Sequence, residues 1–538
     1  TNLQLNPVSI YTKFWTVSFF TKPFKEHIVL LFLIFLLTSS ISLYNWVSQG
    51  YYHYTLYLLS HNILVSYILI LPVGCLKGKI KIIYTSILLT ISSILFIFNS
   101  FCYLTLHSIF YADIVAIIGG TNLQEAKEYI ESSVSINYIL VVVSILFCFL
   151  LLSYLLFLIK PYIGIKTKIV GIIAILLGII MTIHNPSIYR DGLYGEIQAF
   201  TQISKTPNLK DYMTNPQIKY VEKECPSNIV MIIGESFTKS HSSLYHYNKE
   251  TNPRLTYLRN KGLLFTFNNV RSAMINTTKS FQTIMSTYKP EFKDSCKWYE
   301  CTTLPEIVKA AGYKTYWISN QSKVDLYDNV VGKYSELCDY SYFTRDKYSG
   351  VRRSNLDEEI LDLLPPILTD TVSKNFYIIH LMGSHVAFKQ RYPSHFNKFK
   401  ANQYSNHPTN QQSILAEYDN SILYNDSIVY EIIQSYADKE AIILYFPDHG
   451  IDLFETSQTY YGHARATDSL SIKAGTNIPF IIYTTPRYKM KFKDKVKLIQ
   501  ENIHRKYRTD DIIYTIMDII GIDFKNNNDV KKYSLLSN

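Results

Sequence analysis

Four stretches of the chain carry no Asp, Glu, Lys or Arg at all: His27–Leu76, Ile82–Ala112, Ser132–Ile159 and Ile169–Tyr189. A helix needs about 20 mostly apolar residues to cross a hydrocarbon layer roughly 30 Å thick, so runs of this length read as membrane spans. The first is too long for one helix, and Asn45, Ser48, Gln49 and Gly50 break it in two. The pattern therefore predicts five spans, near residues 27–46, 54–74, 82–101, 137–159 and 169–186. The connection near 103–136 is amphipathic, with Ile114, Val115, Ile117 and Ile118 followed by Gln124–Glu128, and reads equally as a helix along the outer membrane surface or as a solvated loop helix.

Cations set the orientation. Lys13, Lys22 and Lys25 precede the first span; Lys77, Lys79 and Lys81 follow the second; Lys160, Lys166 and Lys168 follow the fourth. The alternate connections hold only Lys127. Positive loops stay inside, so the N-terminus is expected in the cytoplasm and everything after about residue 187 outside it. The first apolar run is long and lacks a small-residue cleavage pattern, which reads as a retained anchor. Charged residues are 18% of the chain, below the roughly 25% of soluble proteins, which excludes disorder and argues against a fully soluble enzyme. Part of the net charge of +10 is this topological lysine, and nothing in its distribution points to nucleic acid.

Beyond a bridging stretch at 187–225 the period changes. Short β-rich apolar runs alternate with helical ones, the signature of an α/β domain with a mainly parallel sheet. Candidate strands are Asn228–Ile233, Thr315–Ile318, Phe376–Ile379 and Ala441–Phe446, and Phe399–Gln412 reads as a surface loop. Each strand runs into polar groups: Gly234–Glu235–Ser236, Ser319–Asn320–Gln321–Ser322, His380 with Gly383–Ser384–His385, and Pro447–Asp448–His449–Gly450. Open parallel sheets bind ligands just beyond the carboxyl ends of their strands, so four such endings suggest one shared site.

Glu235, Asp448 and His449 make a donor set suited to Zn²⁺, which takes oxygen and nitrogen ligands in a tight shell of four. His463 follows His449 at a distance that allows it to return to the same edge. Taken singly, His385 or His463 is the kind of residue that is more often structural. The segment Ser272–Met285 reads as a polar N-terminus opening an amphipathic helix. A hydroxyl there lies on the positive end of the helix dipole, where a phosphate binds readily. A metal-bound Thr oxygen serves as a nucleophile near neutral pH. Spacing does not choose between Thr277 and Thr278.

Five spans followed by Ile233–Gly234–Glu235–Ser236, Gly383–Ser384–His385, Tyr418–Asp419–Asn420 with Tyr424–Asn425–Asp426, and Asp448–His449–Gly450 resemble the phosphoethanolamine transferases of Gram-negative bacteria. These belong to the alkaline phosphatase/sulfatase superfamily and include lipid A-modifying enzymes. The likeness covers nearly the whole chain, including a surface helix near Ala112–Ile130, and Trp317–Gln321 is similar to the branch acting on core sugars or glucans.

The resemblance implies a transmembrane domain over 1–186, a bridging linker over 187–225 and a periplasmic sulfatase-like catalytic domain over 226–538, held in the inner membrane. It implies Glu235, Asp448, His449 and the nucleophile Thr277 as zinc ligands, with Thr278 as the fallback nucleophile. One tight zinc site is expected, with room for a second, and Mn²⁺ as the less favoured ion. His385 and His463 fall where the family touches the phosphoryl group, a second metal or the leaving group. Asn320 and Gln321 fall where it binds the donor's head group. The implied reaction moves phosphoethanolamine from phosphatidylethanolamine through a threonine adduct to lipid A, a core sugar or another envelope glycan. A phosphoglycerol transferase resembling lipoteichoic acid synthase is the alternative.

Three departures stand out. The family's Cys-Gly before the nucleophile is Ala273–Met274 and its partner Cys is Thr283, so that disulfide is missing. The Glu-Ser after Asp-His-Gly is Ile451–Asp452, and the spacing from His449 to His463 is longer. Of the outer cysteines, Cys296 and Cys301 form the expected local pair, leaving Cys225 with Cys338. Cys75, Cys102 and Cys148 lie in or beside the spans as small apolar residues.

Overall fold

The computed structural model describes residues 17–48, 50, 52–106, 127, 130, 136–159, 165–184, 207–220, 224–292, 296–321, 323, 330–344, 356–369, 374–458, 460–464, 468–524 and 528–537. These fall into two compact units, one holding the helices up to His184 and the other the residues from 207 onward. Most of the expected surface helix near Ala112–Ile130 and most of the 187–225 bridge lie outside the described residues.

The first unit contains α1 (Val17–Glu26), α2 (Ile28–Ser48), α3 (Tyr52–Ile70), α4 (Gly78–Leu106), α5 (Ile136–Ile159) and α6 (Ile165–His184). Among the described residues, four helical stretches are long and apolar enough to cross a membrane: Ile28–Ser48, Tyr52–Gly74, Gly78–Leu104 and Ile136–Leu156. The fifth expected span is helical too, within α6, whose stretch Gly171–His184 is apolar. Apolar side chains face outward along these helices, among them Ile87, Ile94, Val143, Phe147, Leu151, Leu176 and Ile180, as in helices that meet lipid. Small residues let helices approach: a Cβ on Gly178 of α6 would lie 2.7 Å from the Ser60 carbonyl oxygen of α3. Nearby, His61 Nδ1 and Thr182 Oγ1 lie 3.1 Å apart across the same pair.

The second unit is built on a seven-stranded sheet of β1 (Asn228–Gly234), β2 (Leu264–Thr266), β3 (Lys314–Ser319), β4 (Tyr340–Phe343), β5 (Asn375–His380), β6 (Ala441–Pro447) and β7 (Ile481–Thr484). Its order is β2-β7-β6-β1-β5-β3-β4. The five strands from β6 to β4 run parallel, and β7 is antiparallel to both β6 and β2. The central strands are buried on both faces. Ile229, Met231 and Ile233 point into one core, Val230 and Ile232 into the other, and β6 alternates likewise with Ile442, Leu444 and Phe446 against Ile443 and Tyr445. Double-sided burial is why these strands read as unbroken apolar runs.

Register aligns the strand ends. Ser319 of β3 lies opposite His380 of β5, His380 opposite Ile233 of β1, and Ile233 opposite Phe446 of β6. One step further along each strand therefore brings Asn320, Leu381, Gly234 and Pro447 to a common edge. The helices packed around this sheet include α7 (Thr277–Ile284), α8 (Glu359–Leu368) and α9 (Thr409–Gln434). The stretch expected as a loop at Phe399–Gln412 enters α9 at Thr409, because Pro408 supplies the fixed φ that starts the helix. Residues 218–220, read as part of a linker, pair antiparallel with 522–524. All the described cysteines are free thiols, with the Cys296 and Cys301 sulfurs 2.7 Å apart.

Candidate metal and nucleophile site

β1 delivers Glu235 at its C-terminal end, and the chain then turns sharply at Ser236, whose φ is 54°. Ser236 Oγ donates to Glu235 Oε1 at 2.7 Å. The turn is held from α9, where Tyr418 Oη donates to the Ser236 carbonyl and accepts from the Thr238 N–H, both at 2.9 Å. β6 continues the ladder one residue beyond its end, with Asp448 N donating to Gly234 O at 3.0 Å. That bond sets Asp448 and His449 beside Glu235.

His449 Nδ1–H donates to the Gly450 carbonyl at 2.7 Å, which leaves the Nε2 lone pair directed inward. It faces Glu235 Oε1 at 3.1 Å and Asp448 Oδ2 at 3.6 Å, with all three side chains buried. Thr277 opens α7, whose N-cap Asn276 accepts the Lys279 N–H at 3.0 Å. Phe281 anchors the helix by packing edge-on against His380, with ring centroids 4.7 Å apart. Thr277 Oγ1 donates to Glu235 Oε2 at 3.0 Å and lies 3.4 Å from His449 Nε2. Thr278 lies one residue on, a further step of roughly 100° around the helix. In place of the missing disulfide, Ser272 N donates to Thr476 O at 3.0 Å and Ala273 N to Thr509 Oγ1 at 3.1 Å, while Thr283 bonds Ser280 O within its own helix.

Two further imidazoles close on the cluster. His463 follows a short hairpin pairing Asp452–Leu453 with Tyr461–Gly462, and Glu235, His449 and His463 bring their ligand atoms within 4.8 Å of one another. The His463 ring lies 5.1 Å from that of His449 and 5.9 Å from that of His385. Burial pushes His385 down to about 3 and His463 down to about 4, so both are neutral imidazoles. His449 is the opposite case: burial works against its charge, but Asp448 and Glu235 outweigh it and raise its pKa. Asp448 is raised by burial and then by Glu235, while Glu235, despite burial, is held low by His449.

Two carboxylates, an imidazole lone pair and a hydroxyl oxygen converge here on one small volume, and Asp448 Oδ2 is buried without a hydrogen-bond partner. Buried acceptors confronting one another are costly unless a proton or a cation lies among them. The donor set fits a divalent metal, with oxygen and nitrogen atoms of the kind zinc takes.

The remaining sequence candidates take different positions. Asn320 is fully buried, its Nδ2 donating to Asp357 Oδ1 at 2.8 Å and its Oδ1 accepting from Thr344 Oγ1 at 2.5 Å. It braces the edge of the sheet. Gln321, half-buried, donates through Nε2 to Leu381 O at 3.3 Å. The motif residues of α9 also brace: Asp419 accepts from His241 at 2.6 Å and Tyr247 at 2.7 Å, and Asp426 accepts the Arg254 and Leu255 N–H groups at 2.9 and 3.1 Å. Asp357 carried no signal in the sequence, being one acid among Asp357, Glu358 and Glu359.

Gly383 explains the Gly-Ser-His motif. Its φ is +51°, and a Cβ there would lie 2.8 Å from Glu235 N and 2.9 Å from Glu235 O. Only glycine lets this turn press on the backbone of a site residue. Gly383→Ala is expected to lower stability by about 2–4 kcal/mol, a drop of several degrees in thermal denaturation of the full chain.

The sulfatase family profile matches residues 227–522, more than half of the chain. Phosphoethanolamine transferase EptC of Escherichia coli K12 is 26% identical over 501 residues, covering 86% of this chain and 84% of that protein. The crystal structure of the C-terminal periplasmic domain of E. coli EptC in complex with Zn superposes with a TM-score of 0.53 at 25% identity, covering 60% of this chain and 89% of that one. The integral membrane lipooligosaccharide phosphoethanolamine transferase EptA of Neisseria meningitidis shares the fold over 97% of both chains, with a TM-score of 0.67 at 17% identity. By a profile match spanning its second unit, the chain belongs to the sulfatase family, and relatives similar to it over most of its length are phosphoethanolamine transferases.

Proposed function

We propose that the protein transfers phosphoethanolamine from phosphatidylethanolamine to an envelope glycolipid or glycan, such as lipid A or a core sugar, in the bacterial inner membrane with its catalytic unit in the periplasm. The observation that carries the reading is Thr277 Oγ1 at the mouth of α7, bonded to Glu235 and beside His449. A hydroxyl at a helix N-terminus, on the positive end of the helix dipole, is placed to attack an anionic phosphorus centre. The similarity to EptC over most of both chains supports phosphoethanolamine as the group moved.

Held by Glu235, Asp448, His449 and Thr277, a divalent cation, zinc in this proposal, supplies Lewis acidity that favours the threonine alkoxide and offsets charge on the phosphoryl oxygens. The residues carry the rest. Thr277 Oγ forms a bond to phosphorus as the bond from phosphorus to the diacylglycerol oxygen breaks, and diacylglycerol leaves with a proton. An acceptor hydroxyl or phosphate oxygen then attacks the same phosphorus, the Thr277 Oγ–P bond breaks, and Thr277 recovers its proton. His385 and His463, neutral and facing each other, are placed to deliver and collect these protons or to bind the phosphoryl oxygens. The α7 N-terminus meets the charge that builds on the non-bridging oxygens.

The test uses the full chain in vesicles of phosphatidylethanolamine and phosphatidylglycerol with zinc and an envelope glycolipid. The expected result is diacylglycerol release with a mass gain of one phosphoethanolamine unit on the acceptor. Absence of diacylglycerol release overturns the reading, and a glycerophosphoryl adduct on Thr277 replaces it with a phosphoglycerol transferase.

A further inference from the structure

Asp357 is buried to 3% exposure just before α8, far in sequence from every site residue. Its Oδ1 accepts from Asn320 Nδ2 and from the Met382 N–H, and its Oδ2 accepts from the Gly383 N–H, each at 2.8 Å. A buried carboxylate is costly unless its oxygens are satisfied, and bonds to an ionised acceptor are the strong ones. The two oxygens take consecutive backbone amides, Met382 and Gly383, within the tight turn where Gly383 has φ +51°.

That turn is fastened to the site on two more sides. Ser384 N donates to Glu235 O at 3.0 Å, and His385 N donates back to Met382 O at 3.3 Å, closing the loop that ends in His385. The His385 ring then stands 5.9 Å from His463, with its Nδ1 buried and without a hydrogen-bond partner. An imidazole that makes few bonds of its own owes its aim to its backbone. The neighbouring Glu358 N–H donates to Tyr424 Oη at 3.1 Å, so the clamp itself is tied to α9.

We infer that Asp357 is a positioning residue for transfer: by gripping the Met382 and Gly383 amides and the Asn320 side chain, it fixes the turn that aims His385 at the reacting group. Shape alone does not require an acid here. An Asn would fill the same volume, but it offers one acceptor oxygen and would set an NH₂ against an N–H donor, releasing one of the two amides.

The inference rests on the transfer reading, and the experiment separates the two. Asp357→Asn is compared with the parent, and again in a His385→Ala background, by diacylglycerol release and bound zinc in the full chain. The expected result is a fall in kcat of at least about tenfold with KM for phosphatidylethanolamine and zinc content unchanged in the first comparison, and less than twofold in the second, because two residues acting as a unit do not add. An equal fall in both backgrounds, or loss of zinc, overturns it. Deuterium exchange of the peptide spanning Leu381–Ser384 in the unmutated protein is the independent check if the variant does not fold. Slow exchange of the Met382 and Gly383 amides is expected, and exchange as fast as an open loop overturns the clamp. A parent with no transfer sinks the transferase reading alone, since the exchange result still decides the clamp.

Discussion

Thr277→Ala is expected to lower diacylglycerol release by on the order of 10⁴-fold, because it removes the atom that bonds to phosphorus. The same substitution is expected to leave the fold in place, and because it also removes one of the four proposed zinc ligands, release is measured at saturating zinc. Asn276 still caps α7 through the Lys279 N–H, and Phe281 still anchors the helix against His380. Thr277→Ser keeps a hydroxyl at the same Cβ and is expected to retain measurable transfer, whereas Thr278→Ala is expected to stay within a few-fold of the parent. The pair Thr277→Ala and Thr278→Ala thus settles by kinetics what spacing leaves open. Mass spectrometry of trapped enzyme adds a direct readout: a phosphoethanolamine adduct on the peptide holding Thr277 in the parent and none in the alanine variant. Near-parental release by Thr277→Ala ends the nucleophile assignment.

How much of such a site the order of residues reveals depends on what makes each residue matter. β1, β3, β5 and β6 are legible to within one or two residues, because burial on both faces leaves no polar position to blur an apolar run. The edge strands Leu264–Thr266 and Tyr340–Phe343 and the interior strand Ile481–Thr484 escape notice, being short and, in Tyr340–Ser341–Tyr342–Phe343, partly exposed. Glu235, Asp448 and His449 announce themselves because a charged group straight after a strand end is unusual unless something binds it. Asn320 stands in the same kind of position, and its bracing is not legible, because its partners, Asp357 and Thr344, come from stretches with no pattern of their own. Asp357 is invisible for the same reason, since its meaning lies in backbone amides that sequence does not show. The fifth span is legible as an apolar run from Ile169, and the helix that carries it starts one turn earlier, at Ile165.

Asp448→Asn is expected to move metal affinity and metal-free stability in opposite directions. Zinc bound by four protein groups is worth roughly 10–16 kcal/mol, so one ligand of four carries about 3–4 kcal/mol, or about 10²–10³-fold in affinity. Asn keeps an oxygen that can accept the His449 N–H as Asp448 Oδ1 does at 2.8 Å, so the local backbone is expected to hold. Its NH₂ would occupy the place of Oδ2, which is buried, without a hydrogen-bond partner, and 3.6 Å from the inward-facing Nε2 of His449. The substitution removes a buried acceptor that has no partner, and the repulsion between Asp448 and Glu235 disappears with it. The metal-free variant should therefore be more stable than the metal-free parent by about 1–3 kcal/mol, a gain obtained by giving up function. Zinc titration and thermal denaturation after chelation read the two effects separately. A variant that binds zinc as tightly as the parent shows that Asp448 is not a ligand. One that loses zinc and also loses metal-free stability shows instead that Asp448 supports the fold, and the crowded acceptors around Nε2 would then need an explanation other than a cation.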